Sequence, residues 1–297
     1  MNPLSMEDTP PNRSFLLSWL DMLLRADKFY RPEMSDEFWP DFERALEHIF
    51  TLPKEERHLV TLIDYLKDSA PKLATKMYGW YKQGEFSRWF DHAEDDLDVV
   101  TPRKIGFELG ILMKTPQAAP AIIAYLLHKV VEQLNGEPSI IVLGEAWQMM
   151  DNPVFSAQLG AWLEMLRSRN CLAIMATEKA DEVLTSPLSA SIMKQVATQI
   201  YLPNSQVDAN EYERIFGLTS IEAQYLKKMN LSRRQFLMKR GQQSIVGQLD
   251  LKALKTQVPV LSANEVTLNE LTKIIAEKGV EPKNWLFDFF EFVEREE

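Results

Sequence analysis

An acidic residue placed directly after an uncharged, mostly β-branched run is the first feature of this chain that could do chemistry. Ser139-Ile140-Ile141-Val142-Leu143-Gly144 leads straight into Glu145. Such a run reads as a buried strand of a parallel sheet whose carboxyl end opens on a site. A carboxylate there can polarise a water for attack on a phosphoryl group, and a second one beside it would hold the magnesium shell. Position 144 is glycine, so the water-activating group is present and the metal-side group is not. Taken alone, Glu145 could equally lie at a helix start after a buried strand. A second apolar run, Leu172-Ala173-Ile174-Met175-Ala176, ends in Thr177-Glu178, a polar tip suited to sensing a γ-phosphate. Polar tips on adjacent parallel strands share one crevice at the carboxyl edge of the sheet. The helical segment between them ends in Arg167-Ser168-Arg169-Asn170. Arg167 or Arg169 could reach a neighbouring subunit's nucleotide, although a solvated, dipole-favoured helix end accounts for the same residues.

The phosphate cradle that would complete this chemistry is missing. It needs Gly-x-x-x-x-Gly-Lys-Ser/Thr, because backbone N–H groups must wrap the phosphates and a lysine must neutralise them. Gly79 and Gly84 have the spacing, but Glu85-Phe86 follows. Other chemistry is thinner. His48, His58, His92 and His128 have no ligand spacing, so no metal site is expected. Ser186 and Ser189 lack a neighbouring base and a Gly-x-Ser-x-Gly elbow. Arg233-Arg234 with Lys239-Arg240 makes a basic hairpin that could touch nucleic acid or an acidic partner, or simply be solvated.

The elements that must position these groups follow from the hydrophobic period. Residues 1–12 read as an extended lead-in punctuated by Pro3, Pro10 and Pro11. Residues 13–95 read as an all-α subdomain, its three-four spacing carried by Phe15, Leu16, Trp19, Leu20, Leu23 and Leu24 and repeated three more times. Trp19, Trp39, Trp80 and Trp89 read as core. Residues 96–263 read as an α/β core: Val99, Val100 and Ile105-Gly106-Phe107-Glu108 as strand, a helix from Gln117 to Leu134, strand 139–143, helix 153–169, strand 172–177, helix 187–196 and strand 198–202. Alternation at this spacing predicts right-handed crossovers and a parallel, helix-covered sheet. Two short helices meet at Gly217-Leu218-Thr219, and residues 232–251 alternate as a β-hairpin. Residues 264–297 read as two C-terminal helices.

Composition bounds the class. A chain of 297 residues that is 45% hydrophobic can bury a real core. No 18-residue apolar run suits a membrane span, and the amino terminus lacks a signal peptide's pattern. Lone Cys171 forms no intrachain disulfide and reads as a small core residue in a reducing cytosol. A net charge of −10 argues against a general nucleic-acid-binding surface.

A set of motifs in fixed order then carries a resemblance. Asn2-Pro3-Leu4, Asn12-Arg13, Gly106-Phe107-Glu108, Gly144-Glu145-Ala146-Trp147, Trp162-Leu163-Glu164-Met165-Leu166-Arg167, Ala176-Thr177-Glu178, Ser186-Pro187-Leu188, Ile200-Tyr201-Leu202-Pro203-Asn204 and Phe216-Gly217-Leu218-Thr219 resemble the large ATPase of type IV secretion and conjugative transfer systems. This is the VirB-operon ATPase, called TraC or TrbE in plasmid systems. The resemblance runs to about Trp285. It implies a RecA-like P-loop NTPase fold of the α/β class, here a partial parallel sheet without its P-loop, with an all-α insertion subdomain and a C-terminal hairpin plus helices.

It also implies ATP and Mg²⁺ as cofactors and a homo-oligomer, hexameric in the family. Further implied partners are other type IV secretion components at the inner membrane and a DNA or protein substrate. The implied location is cytoplasmic, peripheral to the cytoplasmic face of that membrane. Three departures stand out. The family's Walker A loop lies upstream of its Asn-Pro-Leu segment, so this chain is expected to be the distal part of a longer protein. Gly144 stands where the family has the Walker B aspartate. Glu178 stands where it has a glutamine facing the γ-phosphate. The expected function is a motor-domain part with weak or no ATP hydrolysis alone. The alternatives are an ATPase completed by a separate Walker A-bearing segment, and a non-catalytic assembly or DNA- or substrate-docking module.

Overall fold

Thr9 accepts the Asn12 N–H at 3.3 Å and Pro10 takes the first helical position, so α1 (Pro10–Arg25) starts three residues before the expected boundary. The computed structural model describes residues 1–97, 99, 103–144, 153–177, 183, 193, 195–205, 208–254, 257–261 and 265–296. Its contacts divide the chain into two units, Met1–Gln195 and Val196–Glu297.

In the first unit α1 packs on α2 (Glu33–Thr51), followed by α3 (Leu59–Ser69), α4 (Pro71–Lys76) and α5 (Ser87–Phe90). The all-α reading of this stretch holds. Trp19 and Trp80 are buried as expected, Trp19 edge-on to Phe90 at 5.0 Å and Trp80 donating its indole N–H to the Leu23 carbonyl at 2.9 Å. Between α4 and α5 the backbone folds tightly, with the Phe86 N–H on the Gly79 carbonyl at 2.7 Å. A Cβ at Gly84 would collide with the Tyr78 and Gly79 carbonyls, which cannot move independently of the turn. Gly84→Ala is therefore expected to cost about 1–3 kcal/mol, seen as a lower urea midpoint at unchanged m-value.

After a single-turn α6 (Gly110–Met113), helix α7 (Ala119–Glu132) is buried on nearly every side and contacts both α1 and α8 (Pro153–Ser168). Phe15 of α1 stacks on His128 of α7 at 3.9 Å, and the imidazole Nε2 lies 3.0 Å from Asn12 Oδ1. Burial first, then Lys129, pushes this imidazole down to about 4, so it packs as a neutral core group. Strands β1 (Ser139–Gly144) and β2 (Cys171–Ala176) pair in parallel across the α8 crossover, as the alternation predicts.

Three expectations are corrected. The segment Val99–Glu108 is not a strand where it is described; Ile105 and Phe107 are exposed, and among the described residues no strand pairs with them. The third strand does not join the parallel sheet. As β3 (Gln199–Tyr201) it pairs antiparallel with β4 (Gln235–Arg240), which pairs with β5 (Gln243–Gln248). β1 and β2 are not buried on both faces: Ile140 is 66% exposed, Val142 65%, Leu172 56% and Ile174 43%. Helix α8 packs against β2, whereas these four side chains line an uncovered face. The expected helix at 187–196 lies outside the described residues except for Met193 and 195–196.

In the second unit α9 (Ala209–Phe216) ends at Gly217 with φ +65°, and Thr219 caps α10 (Ser220–Lys228) through a capping box with Glu222. Helix α10 packs on β4. A short α11 (Val258–Leu261) precedes α12 (Glu265–Lys278) and α13 (Pro282–Glu296), which form the expected C-terminal pair. Trp285, Phe289 and Val293 are its buried seam.

Candidate functional site

The parallel register fixes the edge at which the site residues meet. Ser139 lies opposite Cys171, and the two strands finish together with Gly144 opposite Ala176. Gly144 is exposed and Thr177, just past the end of β2, is half-buried. Both carboxyl ends therefore open at one edge, as expected of adjacent strands in a parallel sheet. Glu145 and Glu178 lie outside the described residues.

The connection back into β2 explains how the arginines are held. Helix α8 ends at Ser168, and Asn170 takes φ +57°, a left-handed turn that lets the chain reverse into β2. Its side-chain amide donates to the Gly136 carbonyl at 3.1 Å, while the Ser139 N–H donates to the Asn170 carbonyl at 3.2 Å. Arg169 donates from Nη1 to the Leu134 carbonyl at 3.0 Å, satisfying a backbone acceptor just after α7. Arg167, in the last turn of α8, is exposed. Both arginines stand at the amino-terminal side of β2, opposite the edge where Gly144 and Thr177 sit. The geometry does not bring them into one cluster within the chain. Motif spacing alone cannot tell this, because it sets which strand end is near, not which group reaches it.

Burial of Cys171 raises its thiol, which leaves it a packed, unreactive side chain. Among the described residues no group of three or more His, Cys, Asp or Glu could hold a metal ion.

The basic hairpin is rearranged by a partner that its sequence spacing does not reveal. Lys239 is buried, and its ammonium lies 2.9 Å from Glu222 Oε2 and 3.2 Å from Oε1, on the helix that packs over β4. Lys239 is therefore committed to the second unit's interior. Arg233, Arg234 and Arg240 remain exposed, Arg234 with φ +51° where the chain enters β4.

A parallel strand pair joined across a covering helix is α/β architecture. The sequence matches the TraG P-loop domain family over residues 65–276, and the chain belongs to that family. It is 27% identical over 283 residues to the type IV secretion system protein virB4 of Bartonella henselae, covering 95% of this chain and 36% of that protein. It is 28% identical over 298 residues to the type IV secretion system protein PtlC of Bordetella pertussis, covering 97% and 36%. VirB4 of Thermoanaerobacter pseudethanolicus shares its fold, with a TM-score of 0.62 at 15% identity over 86% of this chain and 75% of that one. The resemblance to the type IV secretion ATPases and the α/β class are thereby confirmed. The chain spans about 36% of the length of the curated relatives it matches. Members of a P-loop family use nucleotide and Mg²⁺ in general. The residues described here do not make that site by themselves: Gly144 offers no side-chain ligand, and the 297 residues contain no Walker A loop.

Proposed function

We propose that this chain is a motor-domain part of a type IV secretion ATPase, contributing one edge of a nucleotide site and unable to hold ATP tightly alone. The observation that supports this most directly is the shared ending of β1 and β2 at Gly144 and Ala176. In this reading Glu145, next in sequence after Gly144, would activate water, and Thr177 and Glu178, next after Ala176, would face the γ-phosphate. In this reading Arg167 or Arg169 serves a neighbouring copy, which agrees with their distance from the chain's own strand tips. The chain would work as a homo-oligomer, hexameric as in the family, peripheral to the cytoplasmic face of the inner membrane. There it would join other secretion components in moving DNA or protein. No helix among the described residues is long and apolar enough to cross a membrane.

Calorimetry of ATP·Mg²⁺ binding tests the reading, first on this chain and then with a P-loop-bearing segment of a relative fused ahead of Met1. The expected result is binding only in the fused form. Failure of both would leave the second reading, a non-catalytic assembly or docking module, which the glycine at 144 favours. In that reading substrate contact falls to Arg233, Arg234 and Arg240, Lys239 being paired with Glu222.

A further inference from the structure

We infer that copies of this chain join head to tail, the Phe29 turn of one seating in the cavity beside Met6 and Ala93 of the next. The inference deepens the oligomer in the proposed function, and its test reads mass and not hydrolysis, so the two can fail separately.

Phe29 is 66% exposed in the turn between α1 and α2, yet its backbone is held firmly. The Phe29 N–H donates to Asp27 Oδ1 at 2.9 Å and the Tyr30 N–H to the Asp27 carbonyl at 2.9 Å. Asp27 Oδ1 also receives the Lys76 ammonium at 3.1 Å. The Tyr30 hydroxyl lies 2.8 Å from Ser35 Oγ, and the Arg25 guanidinium covers its ring. A large ring kept in water on a fixed backbone has already lost most of the freedom that docking would remove, which suits it as an anchor. Its rim is cationic: the Lys28 and Lys76 ammoniums lie 5.2 and 5.3 Å from its centroid.

The complementary feature is a cavity of about 590 Å³ at the other end of the same helix pair. Thr9 and Asn12 line it at the start of α1, and Lys54 and Glu55 line it just beyond the end of α2. Met6 and Ala93 give it apolar wall. Five lining residues are carboxylates and two are lysines; Asp95 is engaged by Tyr125 at 2.5 Å and Lys129 at 3.2 Å, Glu7 by Lys54 at 3.3 Å, and Glu132 lies 3.6 Å from His128 Nε2. Exposed Glu55 and Glu94 are placed to meet a cationic rim.

The 16 residues of α1 separate turn from cavity, a rise of about 24 Å. One copy cannot fill its own cavity, and the two surfaces differ, so the contact is heterologous and propagates into a ring or a filament. At a net charge of −10 copies repel overall. Setting ammoniums around the ring and carboxylates around the cavity orients the encounter and makes it salt-sensitive.

Sedimentation of the whole chain tests this with two surface variants, Phe29→Ser and Glu55→Lys/Glu94→Lys, each confirmed folded by circular dichroism. The wild type is expected to gain mass with concentration, less so at about 0.5 M salt. Each variant should associate roughly 30-fold more weakly or worse. An equal mixture of the two variants should form a dimer and stop there, since it holds one intact turn and one intact cavity per pair. A wild type that stays monomeric to about 0.1 mM overturns the proposal. So does a Phe29→Ser variant that associates like the wild type, the outcome if copies join through the uncovered face of β1 and β2. A mixture no better than its components overturns it as well.

Discussion

Lys239→Met is expected to destabilise the second unit by about 3–5 kcal/mol, because it strands the Glu222 carboxylate in a site built for an ion pair. Both partners are buried. Glu222 already accepts the Thr219 N–H at 2.6 Å as part of the α10 capping box. Burial alone would raise this carboxyl, but the Thr219 N–H, Lys239, Ser244 and the Thr219 hydroxyl together outweigh it and bring it to about 2. The sign follows from that direction. A carboxyl depressed on folding adds stability that is fully present above its unfolded value near 4.5 and is lost as pH falls towards 2. The amount is on the order of 3 kcal/mol. Hydrogen exchange at the β4 amides reads it: the wild type should lose protection steeply between about pH 4.5 and 2, whereas Lys239→Met should be less protected at neutral pH and lose less across that window. The double change Glu222→Leu/Lys239→Met should recover part of the loss, since a well-packed apolar pair can replace a buried ion pair. An unchanged exchange rate in Lys239→Met would mean the pair adds nothing to the fold.

The second large effect is expected at the strand tips. In the form fused to a P-loop-bearing segment, Gly144→Asp should raise steady-state ATP hydrolysis by about 10²-fold or more, by supplying the metal-side carboxylate. Glu178→Gln should raise it further. A negative charge about 4 Å from a phosphate oxygen costs several kcal/mol at a protein-like dielectric, and the neutral amide removes it. Glu145→Gln in the improved background should abolish the gain. If Gly144→Asp and Glu178→Gln leave hydrolysis at background while ATP still binds, the strand tips are not the catalytic edge.

Much of this fold was legible because its signals are local. Three-four spacing from Phe15 to Trp80 predicts helices, since each stripe buries one face against the next. Gly217 and Thr219 mark a helix end and a helix start two residues apart, and both caps form as the residue types dictate. The strand at 139–144 and its parallel partner at 171–176 follow from apolar runs separated by a helix-length crossover. What was not legible depends on partners. Residues 199–201 have strand chemistry whichever sheet they join, and their neighbour turns out to be β4. Lys239 looks like part of a basic patch until α10 lays Glu222 over it, 17 residues away. The run 139–143 looks buried because its residues are apolar, but burial belongs to the surroundings: two of the five, Ile140 and Val142, face the open side. At the site, the sequence points to Gly144, Thr177 and the two arginines, and only the register separates the first pair from the second.

That open side has a practical meaning for the isolated chain. Each of the two strands has one edge without a partner strand among the described residues, and the face between those edges carries Ile140, Val142, Leu172 and Ile174. Unpaired backbone beside exposed β-branched side chains is the template on which partly unfolded proteins precipitate. Loss of soluble material on standing should therefore accelerate with protein concentration. It should slow on chilling, because the attraction between apolar surfaces weakens as water cools. Handling conditions would then set the usable lifetime of a preparation well before global unfolding does.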